Sequence, residues 1–146
     1  MNTVASSGFE KTASSKPGKA LNIALWSVQA LLALAFVAAA SGKLLGKPEM
    51  VGLYDAIGIG QWFRYVTGLI ELTGAALILV PRARVIGAGL LASTMVGAIA
   101  THVFVLHNSP VAPLVLLALV GLVLWGRRQE VARWVERVKA IVASRS

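Results

Sequence analysis

Residues 21–40 read LNIALWSVQALLALAFVAAA, twenty positions without one charged side chain. A helix rises about 1.5 Å per residue, so roughly 20 residues cross a hydrocarbon core of about 30 Å. Three further apolar stretches follow, from about Trp62 to Val80, Val85 to Leu106 and Val111 to Trp125. The first three stretches are long enough to span a bilayer. The fourth is short and starts near Pro110 or Pro113, so a re-entrant or buried segment is the alternative to a full crossing. All five prolines (Pro17, Pro48, Pro81, Pro110 and Pro113) lie between these stretches or at their ends. That is where proline is tolerated, since it breaks helix interiors but fits first turns. The expected fold class is therefore all-α, an integral membrane bundle of four transmembrane helices.

Composition agrees with lipid as the solvent. The chain has 146 residues, enough for one domain, with 57% hydrophobic and 14% charged residues and a mean hydropathy of +0.75. Soluble domains carry about 25% charged residues, and a chain this short cannot hide so much apolar surface from water. It has no cysteine, which excludes disulfides, thiol relays, zinc–thiolate sites and iron–sulfur clusters within the chain. Residues 1–19 are small and polar and are expected to be a disordered tail. The apolar run that begins at Ala20 is too long for the core of a signal peptide. The expected organisation is a tail over 1–19, a membrane domain over 20–126, and a basic helix over 127–146.

Net charge is +8, and its placement predicts orientation. Lys11, Lys16 and Lys19 precede the first span, Arg82 and Arg84 lie between the second and third, and Arg127, Arg128, Arg133, Arg137, Lys139 and Arg145 follow the fourth. Eleven of fourteen basic residues therefore share one side, while Lys43, Lys47 and Arg64 lie opposite with Glu49 and Asp55. The positive-inside rule places both termini in the cytoplasm, in the inner membrane of a bacterial cell. The charge needs no nucleic-acid partner to explain it.

Two shorter helices are expected. Lys47-Pro48-Glu49 looks like a helix start, Met50, Tyr54 and Ile57 recur at helical spacing, and Gly58 and Gly60 would end the segment, giving an interfacial helix at the outer mouth. Beyond Trp125, Val131, Trp134, Val135, Val138, Ile141 and Val142 mark one helical face, with Glu130, Arg133 and Arg137 on the polar side. That amphipathic helix suits a bilayer surface with anionic headgroups, or alternatively a partner protein. Small residues recur in three spans: Ser27, Ala35 and Ala39; Gly68, Gly74 and Ala75; and Gly89, Ser93, Gly97 and Thr101. Such rows permit close helix approach in lipid, and the last predicts that the third span sits at the bundle centre.

Polar residues inside the apolar stretches carry what functional signal there is. Glu71 lies well inside the second span, where a carboxylate is costly and should face the interior with a partner or stay protonated. A structural hydrogen bond between helices is the other explanation. Arg64 and Thr67 precede it by seven and four residues, on nearly the same face, so a polar stripe descends from the outer surface, although Arg64 also reads as an interface anchor. Thr101 and His102 lie near the outer end of the third span. His102 and His107 fall about 140° apart around a helix and cannot make one metal or haem site. Lys43 ends the first span and reads either as a snorkelling lysine or, with Glu71 and His102, as the lining of one outer-half cavity.

Ser41-Gly42-Lys43-Leu44, Gly68-Leu69-Ile70-Glu71-Leu72-Thr73-Gly74-Ala75 before Leu79-Val80-Pro81, and Met95-Val96-Gly97-Ala98 before Thr101-His102 occur here in order. Together they resemble the DoxX and DoxX-like family of small four-helix membrane proteins, over about residues 21–126. The family takes its name from a likeness to the membrane subunit of thiosulfate:quinone oxidoreductase, and its members are often linked with redox or quinone-related roles. The resemblance implies that Lys43, Glu71 and His102 line a site near quinone depth; Glu71 and His102 are the candidate catalytic groups, and Arg64, Thr67 and Thr101 are further candidate residues of the pocket.

Three functions stay open at this point. One is a quinone-interacting subunit that draws electrons from a membrane redox partner, with no cofactor of its own beyond the quinone. A second is a scaffold without chemistry. A third is a small proton-coupled transporter, although four-helix exporters place their carboxylate in the first span and here it is in the second. Thiol-dependent quinone reduction is excluded by the lack of cysteine.

Overall fold

The computed structural model describes residues 18–145. The described residues form six helices and no strand: α1 Lys19–Leu44, α2 Pro48–Ile57, α3 Gln61–Ile78, α4 Arg84–Phe104, α5 Val111–Gly126 and α6 Arg128–Ala143. The tail expected over 1–19 lies outside the described residues as far as residue 17, and Lys19 already belongs to α1.

Local chemistry accounts for the breaks. Pro48 opens α2 and Glu49 lies in its first turn, where an acid complements the exposed backbone N–H groups. Gly58 ends α2 with φ 77°, in the left-handed region that favours glycine. Pro81 lies in the turn between α3 and α4, and Pro110 precedes α5. α1 runs further than the apolar stretch implied, so that Lys43 sits within its last turn.

α1 and α4 are each long and apolar enough to cross a membrane. α5 and α6 pass the same test only as a pair, and that pair bends by 78°. α1 packs on α3 and α5, and α4 packs on the same two helices, while α2 lies against α3 and α6 against α4 and α5. The shared core is Leu32 and Phe36 of α1, Ala75 and Ile78 of α3, Ala88, Leu91 and Met95 of α4, and Val120 and Val123 of α5. Outside it, Leu31, Leu34, Leu69, Val96, Leu114 and Leu122 are exposed. Large apolar side chains turned outward from four helices suit lipid and not water.

Two packing expectations need correction. α4 is not central: it meets α3 and α5 just as α1 does. The row Ser27, Ala35 of α1 is exposed, and the packing face of that helix is Leu25, Gln29, Leu32, Ala33, Phe36 and Ala40. In α4 a side chain added at Gly89 or Gly97 would meet nothing, whereas at Gly87 it would run into the backbone of Gly74, Leu77 and Ile78. Gly87, absent from the small-residue row, is thus where α4 and α3 approach most closely. Gly68 and Gly74 do serve contact, against Lys43 and Leu44 and against Leu91 and Gly87 respectively. Gln29, fully buried in α1, finds no hydrogen-bond partner for either amide atom.

Candidate functional site

A cavity of about 450 Å³ lies between the end of α1, the inner face of α2, and α3 and α4. Its α3 wall is Phe63, Thr67, Ile70 and Glu71, and its α4 wall is Ser93, Thr94, Gly97, Ala98, Thr101 and His102. Both sets repeat at three and four residues, the period that puts side chains on one helical face. α2 closes the cavity with Met50, Leu53, Tyr54 and Ile57, and Lys43 enters from α1. The small row of α4 therefore borders this space through Ser93, Gly97 and Thr101, and does not form a helix seam.

Lys43 and Glu71 meet at the polar end. The Lys43 ammonium donates to Glu71 Oε2 at 2.7 Å, with side-chain exposures of 13% and 4%. That low exposure matters because the pair is shielded from water. A buried carboxylate and a buried ammonium are each expensive alone and become tolerable together. Lys43 is accordingly not a snorkelling residue at the end of its helix.

Tyr54 stands beside this pair. Its hydroxyl and that of Thr67 share a hydrogen bond of 2.5 Å, and its ring packs edge-on against Phe63, with 5.9 Å between centroids. Burial pushes the Tyr54 phenol above its usual range, the hydrogen bond with Thr67 holding it back in part. The group thus stays a neutral hydroxyl at physiological pH. His102 Nδ1 lies 2.5 Å from Asn108 Oδ1. With the amide oxygen accepting, the ring proton resides on Nδ1 and Nε2 is left as an acceptor.

Of the six residues singled out from the sequence, Lys43, Thr67, Glu71, Thr101 and His102 border the cavity. Arg64 does not. It is 4% exposed, donates from Nε to Gln61 Oε1 at 2.8 Å, and stacks 4.4 Å above the Tyr65 ring. The α1–α2 connection passes over it at Gly46, where an added Cβ would stand 3.5 Å from Nη1. Arg64 is thus neither an interface anchor reaching for water nor part of the cavity wall; it pins the connection from below. Gln61 completes that brace by donating to Val51 O at 2.9 Å and Asp55 Oδ1 at 2.6 Å. His107 is exposed in the α4–α5 connection and has φ 48°.

Sequence reasoning missed Tyr54 and Asn108 as site residues. Tyr54 was legible only as one of the apolar positions of α2. Its hydroxyl becomes informative once α2 is laid on α3, opposite Thr67. Asn108 sits six residues beyond His102 in a turn, a separation that no helical period connects.

A family model described as the DoxX-like family matches residues 27–124, about two thirds of the chain. The matched span begins within α1 and ends within α5, so it contains every residue of the cavity. No curated protein and no solved structure matches the chain.

Proposed function

This chain belongs to the DoxX-like family of membrane proteins, and on that footing we propose that it is a four-span inner-membrane protein that binds a quinone head group in the cavity between α1, α2, α3 and α4. Both termini are cytoplasmic in this proposal. α1, α3, α4 and α5 are the spans, α2 covers the outer mouth, and electrons come from a membrane redox partner.

The observation that carries this is the composition of the cavity wall. Its volume of about 450 Å³ falls within the range of small-molecule sites, about 300–1,000 Å³. Met50, Leu53, Ile57, Phe63, Ile70 and Ala98 offer an apolar surface to a flat ring, while Lys43, Glu71, Tyr54 and His102 bring donors and acceptors to its edge. A quinone supplies an acceptor of two electrons and two protons when bound. The chain's own residues have the chemistry to hold it: the Lys43 ammonium and the Tyr54 hydroxyl donate to a carbonyl oxygen, and His102 Nε2 accepts from a hydroxyl. Glu71 holds Lys43 in place through their 2.7 Å contact, and exchanges a proton with a bound hydroxyl. α2 excludes bulk water from the outer side, so these bonds act in a low dielectric.

The test is titration of the detergent-solubilised full chain with a short-chain benzoquinone. Saturable binding is expected for the wild type. Glu71→Gln, His102→Ala and Gly97→Leu should each weaken it about tenfold, the loss expected for a hydrogen bond to a charged group or for a blocked volume. Gly97→Leu tests the volume without touching a polar group, and its Cβ meets nothing within 4 Å. Equal binding by the wild type and all three variants defeats the proposal.

A further inference from the structure

At the opposite end of the helices lies a second cavity, of about 260 Å³, between the α3–α4 turn and α6. Arg82 and Val85 border it on one side, and Glu130, Arg133, Trp134 and Arg137 border it from α6. The four α6 residues follow at three, four and seven positions, so one face of that helix turns toward the cavity. Beneath it, Glu130 is shared between two buried arginines, at 3.3 Å from Arg84 Nε and 3.6 Å from Arg127 Nη1. Arg84 is 4% and Arg127 7% exposed. Arg84 Nη1 and Arg127 Nε and Nη2 have no hydrogen-bond partner. Among the described residues, no carboxylate pairs with Arg82, Arg133 or Arg137. Three guanidinium groups thus line the cavity with one carboxylate, which two further arginines already hold.

We infer that this corner is a binding site for the phosphate of an anionic phospholipid, gripped by Arg82, Arg133 and Arg137. Three guanidinium groups match a phosphate diester in charge and geometry. Trp134 and Val85 provide apolar contact for the glycerol backbone, the usual place of tryptophan at a bilayer interface. The level is right as well. The cavity adjoins the α3–α4 turn and the first turn of α4, and α6 leaves the axis of α5 at 78°, so with α5 as a span, as proposed above, it runs along the membrane surface. Val138, Ile141 and Val142 continue outward along α6 as exposed apolar residues, ready to enter the acyl region. An acidic peptide would satisfy the arginines but would leave those side chains in water. The Arg84–Glu130–Arg127 cluster acts as a positioning brace: Arg84 also stacks 5.1 Å from the Trp26 ring, tying the corner to α1.

The test is thermal unfolding of the full chain in neutral detergent, titrated with mixed micelles of phosphatidylglycerol, with phosphatidylcholine, or with inorganic phosphate. Phosphatidylglycerol is expected to raise the unfolding temperature saturably, and the other two are not. Arg82→Gln, Arg133→Gln and Arg137→Gln should each weaken the apparent affinity about fivefold. Lys139→Gln, an exposed basic position on the same helix outside the cavity, should not change it. Three results overturn the assignment: an equal effect of phosphatidylcholine, an equal effect of inorganic phosphate, or an equal loss in Lys139→Gln, which would mean diffuse attraction and no site. Glu71→Gln leaves this response intact, so failure here is separable from failure of the quinone proposal.

Discussion

Lys43 and Glu71 are 28 residues apart in the chain and meet at 2.7 Å, nearly out of contact with water. Breaking such a pair from one side strands a charge, and stranding costs more than the pair itself contributes. Lys43→Met or Glu71→Leu alone is therefore expected to destabilise by on the order of 3 kcal/mol, and the double variant by clearly less. Thermal unfolding of the four proteins in one detergent checks this; additive losses would show that the two groups do not depend on each other. Both residues were visible in the sequence because a charge within an apolar run is costly and must be explained. Their convergence on one cavity was one of two readings of Lys43; the ion pair itself was not visible, since it depends on how the end of α1 lies across α3. Arg64 shows the same limit from the other side. Its position in the sequence suggested a reach toward water, yet the α1–α2 connection folds over it at Gly46 and turns it into a buried brace.

At the scale of the elements, helix existence was legible and helix contact was not. Proline placement and apolar length located α1, α3, α4 and α5 to within a few residues, and Pro48 with Gly58 delimited α2. The small-residue rows misplaced the packing. Ser27 and Ala35 face outward and Gly97 faces the cavity, while Gly87 makes the tight seam with α3. A recurring small residue says that a close approach is possible; only the neighbouring backbone says where it occurs. Gly87→Ala would set a Cβ 2.5 Å from Ile78 N and 2.8 Å from Gly74 O, backbone atoms that cannot rotate aside. It is expected to destabilise by about 1–3 kcal/mol, the usual cost of overpacking. Gly89→Ala meets open space and should be neutral or gain up to about 1 kcal/mol of helix propensity. Unfolding temperatures of the two variants decide this, and equal loss in both would mean that the α3–α4 seam is not at Gly87.

For the whole molecule, two charged features lie at opposite ends of the same helices. The Lys43–Glu71 cavity adjoins the end of α1, and the arginine corner adjoins the start of α4 and the first turns of α6. In the proposed arrangement lipid surrounds the helices between those ends, the Lys43–Glu71 pair is enclosed within the bundle under α2, and the arginines lie among headgroups. The proposed arrangement rests on that polarity, in which the cavity faces outward and the arginines inward. Because the chain has no cysteine, single cysteines can report it without background. Glu49→Cys and Ser109→Cys, in α2 and the α4–α5 connection, are predicted to react with a membrane-impermeant thiol reagent in intact cells. Arg82→Cys and Ser144→Cys are predicted to react only after permeabilisation. Labelling of all four positions from one side, or Arg82→Cys and Ser109→Cys reporting the same compartment, would contradict the four-span arrangement.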